Sequence, residues 1–263
     1  MYLDLAIEAA RVAGRALLSR YRQPHEIILK GARDITTEAD LEAEALSIAC
    51  LRRGCPEGLF VSEESNQAAL QSATQPVWYI DPLDGTTNYA RGLGGWCVSV
   101  AAAMAGEVVC AAIYDPVSAE LFSAERGHGA WLNGARIHVS ERSDLGDCIV
   151  LMDWPRDRSW REQGVRYFAR ITPEIFVPRS VGSAALAMCY VAAGWADAYY
   201  QYTLKSWDTA AASLILAEAG AMATDMRGQP TTLDTPDWLV SNGHVHPALL
   251  ALGPLDSERL VVS

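Results

Sequence analysis

The 263-residue chain carries 32 acidic against 21 basic side chains, a net charge of −11, and half of its residues are hydrophobic. That balance excludes disordered and fibrous classes, and the acidic excess argues against a nucleic-acid or membrane-surface binder, because phosphate backbones attract basic stripes. The length allows one large domain or two modest ones with a sizeable core.

Apolar residues recur at helical spacing over residues 3–20 (Leu3, Ile7, Ala10, Gly14, Leu17), with Asp4 and Glu8 inside the first turns. This predicts an amphipathic helix and no export signal. Six scattered cysteines without a CxxC pair then read as reduced, buried thiols in a cytoplasmic protein. No apolar stretch reaches the roughly 18 residues of a membrane span. After a hairpin or loop, Thr37-Glu38-Ala39-Asp40 reads as a capping box opening a second helix through about Cys50. Phe60-Val61 is a short strand ending at Ser62-Glu63-Glu64, and a polar loop follows.

The next segment, Val77-Trp-Tyr-Ile-Asp-Pro-Leu-Asp-Gly-Thr-Thr-Asn-Tyr89, is the most informative. Val77–Ile80 predicts a buried strand that stops at Asp81-Pro82, since proline has no N–H for the ladder. Asp81 and Asp84 then stand where the backbone turns, beside the amides and hydroxyls of Gly85, Thr86 and Thr87. Carboxylates next to exposed amides suit a hard divalent cation and a phosphate together.

Strands are predicted at Trp96–Met104, Val108–Tyr114 and Leu121–Ala124, with an Asn133-Gly134 hairpin between 131 and 137. Helices and strands alternate afterwards: strand 149–152, helix 160–170, strand 175–177, helix 183–193, strand 198–202 and a long helix 206–219 closed by Gly220. Trp238–Val240 is a last strand before a short helix at 247–252. The polar stretch near 140–148 divides two closely packed halves, 1–140 and 141–263, which still count as one domain if their cores merge. The tryptophans and methionines read as core, and His244-x-His246 as surface histidines.

Glu63 and Asp81 each follow an apolar strand, at sheet ends where open α/β sites form. Asp208 sits in an alanine-rich helix with no lysine or arginine to pair it, and metal ions are the obvious compensation. With these residues in view the chain resembles the inositol monophosphatase family, of the lithium-sensitive, magnesium-dependent phosphatase superfamily. The resemblance covers nearly the whole chain and rests on Asp34-Ile-Thr-Thr-Glu-Ala-Asp40, Ser62-Glu63-Glu64-Ser65, Asp81-Pro-Leu-Asp-Gly-Thr-Thr-Asn88, Arg179-Ser-Val-Gly-Ser-Ala-Ala185 and Trp207-Asp208-Thr-Ala-Ala211.

The resemblance implies an α/β fold, an α-β-α-β-α sandwich, in a homodimer. It implies Mg²⁺, two or three ions per site with Mn²⁺ as substitute, held by Glu63, Asp81, the Leu83 carbonyl, Asp84 and Asp208. Asp40 and Thr86, with Glu63, would activate the attacking water. Asp84, Gly85 and Thr86 would receive the phosphate, and Gly182, Ser183, Ala184, Gln201 and Asp208 would face the alcohol.

One departure stands out: family members usually carry glutamate where this chain has Gln201, and an amide both donates and accepts. Lys205 and Arg156, in Asp153-Trp-Pro-Arg156, are further candidates for contact with an anionic group or the substrate. Thr87-Asn88 matches the inositol monophosphatase pattern, so inositol phosphate ranks first as substrate. Histidinol phosphate, fructose 1,6-bisphosphate and nucleotide 3′(2′),5′-bisphosphates follow. The non-enzymatic alternative is a partner-binding protein with weak residual phosphatase activity.

Overall fold

The computed structural model describes residues 1–65 and 74–253. In chain order the elements are α1 (Tyr2–Arg20), β1 (Ile27–Gly31), β2 (Asp34–Thr37), α2 (Glu38–Gly54), β3 (Leu59–Ser62), β4 (Val77–Asp84), α3 (Thr86–Ala90), β5 (Cys97–Met104), β6 (Glu107–Asp115), β7 (Glu120–Glu125), β8 (Ala130–Leu132) and β9 (Ala135–Ile137). They continue with β10 (Ile149–Met152), α4 (Arg158–Ile171), β11 (Val177–Arg179), α5 (Ala184–Ala192), β12 (Ala198–Gln201), α6 (Ser206–Ala219), β13 (Met222–Thr224), β14 (Trp238–Ser241) and α7 (His246–Ala251).

Alternation along the strands explains the layering. In β4, Trp78 and Ile80 face a cluster with Ala6, Ala10 and Leu17 of α1 and Ala43 and Leu51 of α2. Val77 and Tyr79 point the other way, into a cluster with α5 and α6. The seven-stranded sheet, ordered β3-β4-β5-β6-β7-β8-β9, is therefore covered on both faces. The five-stranded sheet, ordered β11-β10-β12-β14-β13, divides its side chains the same way. Leu151 and Tyr199 join the α5–α6 cluster, while Val150, Met152 and Tyr200 meet Tyr167 of α4 and Leu249 of α7. Helix α6 lies in the middle layer and is apolar on most sides, with Ala210, Ala211, Ala212, Leu214, Ile215, Leu216 and Ala219 buried. The result is the α-β-α-β-α sandwich.

Four expectations need correction. The strand at 77 does not stop at Asp81-Pro82; it runs to Asp84, because a bulge accommodates the proline. The strand expected at 175–177 lies at 177–179, where Val177 pairs with Ile149. His246 is not a surface residue: it is 1% exposed, with Thr224 and Ser241 on its two ring nitrogens. The tryptophans divide, with Trp78, Trp96 and Trp238 buried but Trp160 and Trp195 40% and 46% exposed. The polar connection expected after Glu64 lies largely outside the described residues. All six cysteines are buried free thiols, and no helix among the described residues is long and apolar enough to cross a membrane.

Candidate active site

The bulge in β4 sets the positions of the two central carboxylates. On a regular strand, residues three apart point to opposite faces. Here Asp81 pairs with Ser99 and Asp84 with Cys97, so three steps on β4 match two on β5. The extra residue brings Asp81 and Asp84 to the same face, the one against α5 and α6. Pro82, which has no N–H to give the ladder, sits where the ladder is broken. Glu63 follows Val61, which faces the same cluster, at the end of the neighbouring parallel strand.

Asp208 arrives from the middle layer. It lies in the first turn of α6, and its Oδ2 accepts the Lys205 backbone N–H at 2.7 Å. Asp84 Oδ2 accepts the Ser183 hydroxyl at 2.6 Å and the Ala185 N–H at 2.7 Å, tying the strand end to the start of α5. Asp40 comes from the opposite layer. Its Oδ2 accepts the Thr37 N–H and hydroxyl, closing the capping box of α2, and its Oδ1 lies 3.0 Å from the Thr86 hydroxyl. That hydroxyl is also 3.0 Å from the Leu83 carbonyl oxygen.

Two glycines make the turns possible. Gly85 has φ 97°, and a Cβ there would stand 2.8 Å from the Gly95 carbonyl oxygen. Gly182 has φ 83°, and its Cβ would meet the Asn88 amide at 2.7 Å. That amide nitrogen donates to the carbonyls of Gly95 and Val181, strapping the turn at 85 to the turn at 182. Ser183, expected against the alcohol, directs its hydroxyl to Asp84 and caps α5 by accepting from Leu186 N–H. Gln201 Oε1 accepts the Tyr199 hydroxyl at 3.0 Å.

Sequence reading missed three contributors. Asn88 stood in the motif without a role. Asp153 accepts the Ser180 hydroxyl and the Gly182 N–H on Oδ1, each at 2.7 Å, and no local signal links 153 to 182. Lys30, on the exposed β1–β2 hairpin, places Nζ 2.9 Å from both Glu63 and Glu64, so Glu64 is held at 3% side-chain exposure and is no solvated loop charge. Arg156 is engaged as well: it pairs with Asp34 at 2.9 Å, and its carbonyl accepts from Arg33.

The electrostatics are those of crowded acids. Burial, then the charges of Glu63, Asp84 and Asp208, hold the Asp81 carboxyl well above the usual range. Burial lifts Asp84 to about 6 against the pull of its Ser183 and Ala185 bonds. Asp208 reaches about 8 through burial and the charges of Asp84 and Glu63. Asp40 and Asp153 are each raised by burial to about 6. Among the described residues, Asp81, Asp84 and Asp208 have no lysine or arginine ion-pair partner, since Lys30 goes to Glu63 and Glu64 and Arg156 to Asp34.

An all-oxygen set with this charge deficit fits Mg²⁺ or Mn²⁺ rather than zinc. As placed, no group of three or more histidine, cysteine or acidic side chains among the described residues stands close enough together to hold a metal ion. Their present bonds to Lys30, Ser183 and the Lys205 amide show what an ion would exchange with or leave in place. A separate cavity of about 500 Å³ borders α6 at Ser213, Ala217 and Glu218 and includes none of these carboxylates.

The model of the inositol monophosphatase family matches residues 2–253. Nus factor SuhB of Escherichia coli K12 is 37% identical over 253 residues, 95% of this chain and 94% of that protein. Among solved structures, the extragenic suppressor protein suhB of Bartonella henselae superposes with a TM-score of 0.91 at 33% identity, covering 95% of this chain and 97% of that one. The inositol monophosphatase of Anabaena (Nostoc) superposes with a TM-score of 0.84 at 32% identity, covering 96% of each. In sequence over nearly its full length and in the layering around these carboxylates, the chain belongs to the inositol monophosphatase family.

Proposed function

We propose that this protein is a Mg²⁺-dependent phosphomonoesterase acting on a small polyol phosphate, with inositol monophosphate first among substrates. The observation that carries this reading is the convergence of Glu63, Asp81, Asp84 and Asp208 from three separate parts of the chain, with three of the four lacking a cationic partner among the described residues. Membership of the family supports the phosphatase chemistry.

In this reading Glu63, Asp81, the Leu83 carbonyl, Asp84 and Asp208 hold the metal. Mg²⁺ when bound supplies Lewis acidity to the attacking water and charge neutralisation at the leaving oxygen. The chain's own part is positioning, which dominates phosphoryl transfer. The amides of Gly85 and Thr86, in a turn that only glycine can make, receive the phosphate oxygens. Asp40, ionised at neutral pH and aligned by Thr37, takes the water's proton through the Thr86 hydroxyl. Gly182, Ala184, Gln201 and Asp208 border the alcohol, and Ser183 acts through Asp84. The working unit in this reading is a homodimer, which light scattering would place at about twice 28.5 kDa.

The test is phosphate release from inositol 1-phosphate, histidinol phosphate, fructose 1,6-bisphosphate and adenosine 3′,5′-bisphosphate with Mg²⁺ or Mn²⁺. The expected result is metal-dependent release, fastest from inositol 1-phosphate and inhibited by lithium and by excess Mg²⁺. No release from any of the four would overturn the reading. A second reading, a partner-binding protein, draws on the relatives named Nus factor SuhB. The complete carboxylate set favours the enzyme.

A further inference from the structure

Of the buried polar side-chain atoms without a hydrogen-bond partner among the described residues, one near the site is a carboxylate oxygen with no ion-pair partner either. Asp153 is 9% exposed, and its Oδ1 already takes two donors, the Ser180 hydroxyl and the Gly182 N–H. Its Oδ2 is buried with no hydrogen-bond partner. A buried carboxylate oxygen left unpaired is costly, and bracing the turn at 182 requires only the other oxygen.

Sheet register says what stands beside it. In the parallel pair β10–β12, Leu151 lies opposite Tyr199 and Met152 opposite Tyr200; continued one residue past the end of β10, that register sets Asp153 beside Gln201, at about the 4.8 Å spacing of paired strands. Each stands two residues after one whose side chain faces α5 and α6, Leu151 and Tyr199, so strand alternation turns both toward the layer that carries Asp208. The Tyr199 hydroxyl donates to Gln201 Oε1, which leaves the amide N–H groups of Gln201 for a ligand. An acceptor and a donor side by side suit a hydroxyl, which can serve both. A cation would face the amide N–H groups and is disfavoured there.

We propose that Asp153 is a specificity residue of the alcohol pocket, whose Oδ2 accepts a substrate hydroxyl beside the Gln201 amide. The carboxylate absent from position 201 is supplied from the adjacent strand, so the pocket selects hydroxyl-bearing alcohols. The assignment rests on the phosphomonoesterase reading and names the feature of the substrate that the site reads.

D153N is the informative variant, because asparagine keeps one oxygen for Ser180 and Gly182 and exchanges the other for a donor. The measurement is the ratio of kcat/KM for inositol 1-phosphate to that for cyclohexyl phosphate, the same ring without hydroxyls. Losing a charged partner for a hydroxyl is expected to lower this ratio at least tenfold, mostly through KM for inositol 1-phosphate. A ratio that stays within twofold, with both substrates impaired alike, would reduce Asp153 to a brace and overturn the proposal. So would a variant indistinguishable from wild type on both. If the wild-type protein turns over neither phosphate, the phosphatase reading falls. The subsite is then decided by calorimetric Kd values for the same two phosphates, with the same tenfold change in ratio expected for D153N and an unchanged ratio overturning it.

Discussion

At the scale of single residues, Asp84 shows how one side chain serves stability and chemistry in opposite directions. Oδ2 fastens α5 through Ser183 and Ala185, while the charge it carries crowds Asp81 and Asp208. Asp84→Asn keeps an oxygen for both bonds and removes the charge. Turnover should fall at least a hundredfold, since a metal ligand worth several kcal/mol in the transition state is lost. The metal-free protein should nevertheless melt about 2–4 °C higher for each ~1 kcal/mol of repulsion relieved. Calorimetry in EDTA beside a phosphate-release assay checks both; unchanged activity would remove Asp84 from the metal site. Asp81 and Asp84 were legible in sequence because their motif is local. Their common orientation was not, because it comes from a bulge whose evidence is the pairing with Ser99 and Cys97.

At the scale of elements, the start of α2 couples helix stability to the proposed base. Thr37 caps the helix and donates to Asp40 through both its amide and its hydroxyl, and those bonds pull the Asp40 carboxyl down against burial. Thr37→Ala should cost about 1–2 kcal/mol, as a lost N-cap does. It should also move the acid limb of the kcat/KM profile to higher pH, because Asp40 loses a donor to its charged form. A stability loss with an unmoved acid limb would separate Asp40 from catalysis. The capping box itself was readable, as were α6 and the β8–β9 hairpin. The β1–β2 hairpin is not readable, since Ile27, Ile28 and Leu29 are 51%, 41% and 75% exposed and give no burial pattern. Its ties, Lys30 to Glu63 and Glu64 and Asp34 to Arg156, span distances that no sequence window contains. The same holds for Asp153 and Gln201, which are set side by side only by the β10–β12 register continued one residue past the end of β10.

For the whole molecule, the cluster of raised carboxyls sets a dependence of stability on pH. Asp40, Asp84 and Asp153 are lifted to about 6 and Asp208 to about 8, against a reference of 3.8. Between the unfolded and folded values the native state binds more protons, so stability falls as pH rises through that window and levels off above it. Metal-free protein should therefore lose Tm steadily from pH 5 to about 8. Saturating Mg²⁺ should flatten that decline, because binding to the folded state offsets the repulsion. His246, held neutral by burial, titrates in the opposite sense but contributes equally with and without the ion. Parallel curves in EDTA and Mg²⁺ would mean that these acids do not hold the metal. The layered architecture was legible from the resemblance and from the alternation of helices and strands, whereas the side of each sheet that carries the site emerged only from the packing.

Helix α6 has a consequence for how this protein tolerates change. Because it is enclosed by sheet, helix and sheet, it offers no ordinary solvent-facing stripe on which substitutions can accumulate. Past its first turn, its open positions are the partly exposed Ser213 and, one turn later, the exposed Ala217 and partly exposed Glu218, all on the side of the separate cavity. In a saturation scan the segment from Thr209 to Leu216 should show near-uniform intolerance broken at Ser213. Larger residues at Ala210, Ala211 or Ala212 would wedge the two sheets apart and carry Asp208 away from Asp81. Inheritance of the activity would then depend as much on small methyl groups as on the carboxylates they position.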